Sequence, residues 1–257
     1  MIMKNLLIIF LILFGSSQAF SFVILIDPGH GGKELGAVKS YSVKDSKGRQ
    51  KKITVYEKNL SLRLAKYLQA SLLNEFSVYL TRSFDRTVDL DDRASMADTV
   101  KADLFISIHF NSANSSEFHG FETYYLDNHK DKAIEKVESI ENKDLKGEDK
   151  IINQILIDLV VGKTVNSSKK LAGLVHGNIG KNIKSFKRKD RGIKPGLFYV
   201  LALSKRPGVL IEAGFMSNPR ELSKLNSDSY LKAYAKGIAQ GIKEFYKTSP
   251  KREIPLF

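Results

Sequence analysis

The sequence contains no cysteine. Disulfides, thiolate metal ligands and a thiol nucleophile are therefore excluded, any bound metal must be held by His, Asp or Glu, and stability must come from packing. It also lacks a G-x-S-x-G nucleophile elbow. Acidic residues are the minority, 28 against 41 Lys and Arg, for a formal net charge of +13. Such an excess favours polyanions, nucleic acid being the usual partner. No basic helix interleaved with aromatics is present, however, and no nucleic-acid partner is expected. The apolar stretch from Leu6 to Phe14 is too short for the roughly 20 residues that span a bilayer. It follows Lys4 and precedes Gly15, Ser16, Ser17 and Ala19, the order of a secretory signal cleaved after Ala19; a membrane anchor is the other reading. The expectation is an exported protein of the periplasm or cell envelope, with residues 1–19 as leader and no stable membrane anchor. Its basic surface would there meet wall polymers and anionic headgroups.

No internal repeat or long linker interrupts the remainder, so one domain over residues 20–246 with a short tail, 247–257, is expected. Apolar periodicity predicts strands at FVILID (22–27), SVYLT (77–81), DLFISIHF (103–110), GFETYYL (120–126), GLFYVLAL (196–203) and GVLIEAGF (208–215). Helices are predicted from Glu57, with Leu60, Leu64, Tyr67, Leu68 and Leu72 on one face, and from Asp91 or Asp92 to Val100. Two more fall near Ile151–Val161 and Ser168–Lys181, and a last one carries Leu231 to Phe245. Strands alternating with helices imply an α/β fold: a single domain, mostly parallel twisted sheet with helices on both faces.

In such sheets functional groups collect where strands end. His30 lies just beyond the first strand, His109 at the end of another, and Glu212 after the apolar triplet Val209-Leu210-Ile211. Glu57 occupies the first turn of a helix, where the dipole favours a carboxylate. Singly, each histidine reads as a hydrogen-bonded structural residue and Glu57 as a capping charge. Glu212 is costly to bury unless paired or bound to a metal. Together they suit a catalytic zinc site of two imidazoles and a carboxylate, with a fourth position left for water. His30 and Glu57 are 27 residues apart and Glu57 and His109 are 52 apart, too far for a local motif. Nucleotide motifs fail: GHGGKE has Glu34 where a dinucleotide fingerprint needs glycine, and Gly162-Lys163-Thr164 lacks the opening glycine of a phosphate loop.

Six blocks carry a resemblance. They are ILIDPGHGG (24–32), YEKNLSLRLAKYL (56–68), TRSFDRTVDLDDRASMAD (81–98), ISIHFNSA (106–113) with GFETYYL, RGIKPGLFYVL (191–201) and VLIEAGFMSNPRE (209–221). In this order the chain resembles the zinc-dependent N-acetylmuramoyl-L-alanine amidases, bacterial cell-wall hydrolases of the kind that separate daughter cells. The resemblance implies that His30, Glu57 and His109 hold one Zn2+ per chain and that Glu212 is the catalytic glutamate. It also implies cleavage of the amide between N-acetylmuramic acid and L-alanine in peptidoglycan. Zinc would lower the pKa of its water to roughly 7 and polarise the carbonyl, with Glu212 moving the proton. Asp27 and the glycines around His30 would shape the turn presenting the imidazole. Arg82, Asp85 and Arg93 suggest a buried ionic network, and Asn111 a support of the ligands. His119, His129 and His176 match no motif and read as surface or structural residues.

Two segments depart from the simplest family pattern. Residues 39–52, KSYSVKDSKGRQKK, read as a lengthened basic loop that either contacts anionic wall polymer or is merely solvated. Residues 127–165 resemble the regulatory insertion of division-associated amidases, a helix over the zinc cleft that an activator withdraws. SIENKDLKG (139–147) is the part most like it. Glu138 or Glu141 would then take the water's place on zinc; an ordinary surface helix is the alternative. A monomer acting on peptidoglycan is expected. A zinc peptidase or deacylase for another amide, or a silent wall-binding protein, are the other functions open to this sequence.

Overall fold

A computed structural model of the chain describes residues 22–128, 135–142 and 149–249. The expected leader, His129 and the end of the tail lie outside these residues. Strand β1 (Val23–Pro28) is followed by β2 (Val38–Lys44), β3 (Gln50–Tyr56), helix α1 (Glu57–Leu72), β4 (Ser77–Leu80) and α2 (Leu90–Thr99). Then come β5 (Leu104–Asn111), β6 (Phe121–Leu126), α3 (Glu135–Glu141), α4 (Asp149–Asn182) and β7 (Asp190–Gly196). The chain continues through α5 (Tyr199–Ser204), β8 (Gly208–Phe215), α6 (Pro219–Leu225) and α7 (Asp228–Thr248).

Six strands form a sheet in the order β4-β1-β5-β8-β6-β7. Pairing is parallel from β4 to β8 and again between β6 and β7, while β6 runs antiparallel to β8. The fold is thus the expected mostly parallel α/β arrangement, with a reversal at β8/β6. Alternation along the strands sorts side chains into two cores. Ile24, Ile106, Val209 and Phe121 pack with α1, α7 and the second half of α4. Leu25, Phe105, Leu210 and Tyr124 face the opposite way, against α2, α5 and the Ile157–Val160 part of α4. On α7 the backbone of α4 approaches so closely that a Cβ at Gly241 would lie 2.5 Å from Val175 Cα.

Several expectations are corrected. GLFYVLAL is not a strand: it ends β7 and forms α5, burying Val200, Leu201 and Ala202. A short apolar run fits a buried helix turn as well as a strand. The helices expected on either side of Gly162-Lys163-Thr164 are one, α4, of 34 residues. Gly162 has open space where its side chain would be, and Thr164 Oγ1 donates back to the Val160 carbonyl at 2.8 Å, so neither breaks the helix. Because α4 continues past residue 165 to Asn182, the second departure from the family pattern has no structural boundary at 165. The N-cap of α2 is Asp89, with Asp91 and Asp92 inside its first turn. Residues 39–52 are not an irregular loop: most belong to the antiparallel β2–β3 hairpin.

Candidate metal centre

Beyond β1 the chain turns through Gly29, His30, Gly31 and Gly32, with His30 itself in the left-handed region at φ 58°. Two buried guanidinium groups hold this turn. Arg93 donates to Asp27 Oδ1 at 2.6 Å, the Pro28 carbonyl at 2.9 Å and the His30 carbonyl at 2.8 Å. Arg82 donates to the carbonyls of Pro28 at 3.0 Å and Gly29 at 2.7 Å. Asp27 also accepts from Thr81 Oγ1 at 2.6 Å and Ser107 Oγ at 3.0 Å. Burial opposes the charge on Asp27, but Arg93 and Thr81 outweigh it and hold the carboxyl below the usual carboxylate range. Asp85 is not part of a buried network as expected. Its side chain is 47% exposed and clamps the turn from outside, accepting from Lys58 Nζ and Gly32 N at 2.7 Å each.

The turn needs glycine because of what packs upon it. A Cβ on Gly29 would sit 2.3 Å from His109 Cε1, and one on Gly36 2.6 Å from Glu57 Oε2. Glu57 opens α1, and two backbone amides aim its carboxylate. Oε2 accepts from Ala37 N at 2.8 Å and Oε1 from Phe110 N at 3.0 Å. Burial pushes this carboxyl up, yet the two imidazoles hold it well below the usual range.

Strand register brings the remaining groups into a row. His109 on β5 is level with Glu212 on β8, which is level with Glu122 on β6. Partners in register share a face of a sheet. His30 Nε2 lies 3.1 Å from Glu57 Oε1, His109 Nδ1 lies 3.2 Å from the same oxygen, and Glu141 Oε2 of α3 lies 3.0 Å from His109 Nδ1. The donor atoms of His30, Glu57, His109 and Glu141 all fall within 4.8 Å of one another. Burial disfavours the charged form of His109, but Glu141 and Glu57 hold it well above its ordinary value. Burial, then Glu141, push Glu212 far upward.

These residues fit a divalent metal. Glu212 Oε2 is buried with no hydrogen-bond partner, His30 Nε2 is buried with only its ion-pair approach to Glu57, and two imidazoles and two carboxylates converging in a buried cleft form a donor set suited to zinc. Of the two glutamates expected near the metal, the structure brings in Glu141 alone. Glu138 faces away and accepts from Leu197 N at 2.6 Å.

Sequence reasoning missed Glu122 and Asn142. Glu122 is buried beside Glu212 and accepts from Arg191, Lys194 and the Tyr124 hydroxyl. Asn142 bonds both the Leu197 carbonyl at 2.6 Å and Tyr199 N at 3.0 Å. Alternation in FETYYL gave a signal for Glu122, since it shares its face with two buried apolar residues; nothing local marks Asn142. Asn111 lines the cleft, but its side chain makes no hydrogen bond to a ligand among the described residues. His119 is exposed, and His176 ties α4 to the sheet through Thr123 at 2.9 Å and Asp190 at 2.7 Å.

A model of the N-acetylmuramoyl-L-alanine amidase family matches residues 24–244. A probable N-acetylmuramoyl-L-alanine amidase, AmiB of Haemophilus influenzae, is 31% identical over 263 residues, covering 95% of this chain and 57% of that protein. AmiC of Escherichia coli O6:H1, an N-acetylmuramoyl-L-alanine amidase, is 30% identical over 234 residues, covering 87% and 52% respectively. The chain therefore spans little more than half the length of either. The crystal structure of an N-acetylmuramoyl-L-alanine amidase from Clostridium difficile 630 superposes with a TM-score of 0.65 at 28% identity, over 90% of this chain and all of that one.

Proposed function

Because the chain belongs to the N-acetylmuramoyl-L-alanine amidase family, we propose that it hydrolyses the amide joining N-acetylmuramic acid to L-alanine in peptidoglycan, with one zinc ion per chain. The observation that carries this reading is the convergence of His30, Glu57 and His109 beside an unpartnered, buried Glu212. Zinc held by those three side chains would supply Lewis acidity to the scissile carbonyl and to an adjacent water. Two backbone amides fix the Glu57 carboxylate and the glycine turn fixes the His30 ring, so little reorganisation is needed on metal binding. Glu212, as carboxylate, takes a proton from the attacking water and then, as the acid, returns it to the leaving nitrogen of L-alanine.

The chain would act in wall remodelling or daughter-cell separation after export to the envelope, as a monomer. No helix among the described residues is long and apolar enough to cross a membrane. Glu141 points to a resting state: 11% exposed, it shares the donor cluster, where it would take the position needed by water. An activator protein that withdraws α3 would open the site.

Digestion of purified sacculi, read by mass spectrometry, tests the reaction. Wild type should release stem peptides beginning with L-alanine. Glu212→Gln and His30→Ala should release none, with stoichiometric zinc lost only from the second. Release by Glu212→Gln at the wild-type rate would remove Glu212 from its role. Fragments cut at another amide would favour a zinc peptidase or deacylase.

A further inference from the structure

The β2–β3 hairpin, turn included, bears six basic residues, Lys39, Lys44, Lys47, Arg49, Lys51 and Lys52, against one acid, Asp45. Its register sorts them by face, because residues opposite one another in a hairpin point the same way. On one face Tyr41 stands opposite Ile53, and both pack on the larger core; the Tyr41 hydroxyl also accepts from Asn226 at 3.2 Å. Lys39, opposite Val55, and Lys51, opposite Val43, lie on that same face, whereas on the other face Ser42 stands opposite Lys52 and Lys44 opposite Gln50, all exposed. Lys44 and Lys52 are thus diagonal neighbours about 7–8 Å apart on an anchored scaffold.

Among the described residues little compensates this charge. Asp45 is used by its own turn, accepting from Lys47 N at 2.9 Å, Arg49 N at 2.9 Å and Arg49 Nε at 2.8 Å. Among the described residues no carboxylate pairs with Lys39, Lys44, Lys47, Lys51 or Lys52. Like charges held this close favour an anionic occupant. The base of the hairpin is continuous with the metal centre: one groove is lined by His30, Glu57 and Glu212 and also by Lys33, Val38 and Lys39. A seven-residue strand extends this basic surface by about 23 Å, the reach of several residues of extended peptide.

We propose that the hairpin is a docking arm for the carboxylates of peptidoglycan stem peptides, holding the strand whose scissile amide enters the cleft. The proposal rests on the amidase reading, which supplies the occupant. A stem peptide leaves the cleft from the scissile amide and bears free carboxylates, the groups that ammonium side chains recognise. Lys33 and Lys39 line its path, and Lys44 and Lys52, on one face of the hairpin, hold adjoining stems.

The test is co-sedimentation of the full chain with insoluble peptidoglycan, which reads binding independently of hydrolysis. Three preparations are compared: native, with carboxylates converted to amides, and stripped of phosphate polymers by hydrofluoric acid. The double variant Lys44→Gln, Lys52→Gln should bind native material about fivefold more weakly at low salt, from two exposed ion pairs of modest worth. The double Lys→Arg variant should bind as wild type does, because it restores charge on the same scaffold. Amidation should weaken wild type to the level of the Gln variant, whereas phosphate stripping should leave it unchanged. Equal sedimentation of wild type and the Gln variant, or tight binding of wild type to amidated material, would overturn the proposal. Dependence on phosphate would overturn it too and assign the arm to a phosphate polymer. Failure of wild type to release stem peptides in the digestion above would instead count against the amidase reading.

Discussion

At the scale of single residues, the centre depends on side chains too large or too charged to be placed without exact neighbours. Gly29→Ala would drive a methyl group into the His109 ring, whose Cε1 lies 2.3 Å from that position. The expected outcome is a folded protein with zinc affinity lowered about 10–100-fold, measured by competition with a chromophoric chelator, because ligand orientation is lost. Arg93→Ala should instead cost about 3–5 kcal/mol in urea unfolding, since it strands the buried Asp27 carboxylate. The four residues His30, Glu57, His109 and Glu212 were legible because each interrupts a pattern at a strand end or helix start. Their division of labour was legible only through family resemblance. Asp85 was misplaced because sequence gives charge and spacing but not which of two carboxylates, Asp27 or Asp85, is enclosed.

Among the elements, α3 is the one that carries the proposed resting state, because it brings Glu141 into the donor cluster. Seven residues form a helix too short to be stable alone, so docking must hold it. Its side chains supply that docking. Asn142 makes two bonds to the Leu197 carbonyl and Tyr199 amide, Glu138 accepts from Leu197 N, and Val137 packs against the smaller core. Asn142→Ala removes two hydrogen bonds and should raise basal hydrolysis of dye-labelled sacculi about tenfold by favouring the undocked helix. Glu141→Ala should raise it as well, by freeing the metal. Unchanged or lower activity in both folded variants would mean that α3 does not lock the site. Deleting residues 130–160 is a poorer test, because Ile157 and Val160 are buried in the core under α5. Helix existence in this region was legible from composition. The continuity of α4 was not, since a surface glycine in a long helix and a break between two helices look alike in sequence.

For the whole molecule, stability rests on two apolar cores and a set of enclosed carboxylates, and the latter set its acid limit. Asp27 and Glu122 are both depressed below their ordinary values: burial raises each, but the guanidinium or ammonium groups beside them win. A depressed carboxyl stabilises the fold fully above its unfolded pKa and loses that contribution as pH falls through the folded value. The share from these two carboxylates should therefore be constant above about pH 5, and the urea midpoint should fall below about pH 4, with a shallower acid fall in Asp27→Asn. Sequence alone determined the fold class, because the alternation of apolar periods is a local property, and it marked His30, Glu57, His109 and Glu212 as candidates, because they punctuate that alternation; the structure draws the first three together. Only the tertiary structure decided which side chains meet. The placement of Glu141 against His109, the level of Glu122 beside Glu212, and the anchoring of a basic segment as a hairpin arise from contacts between distant elements. Such contacts are selected by strand register and packing, neither of which is written in any one stretch of chain.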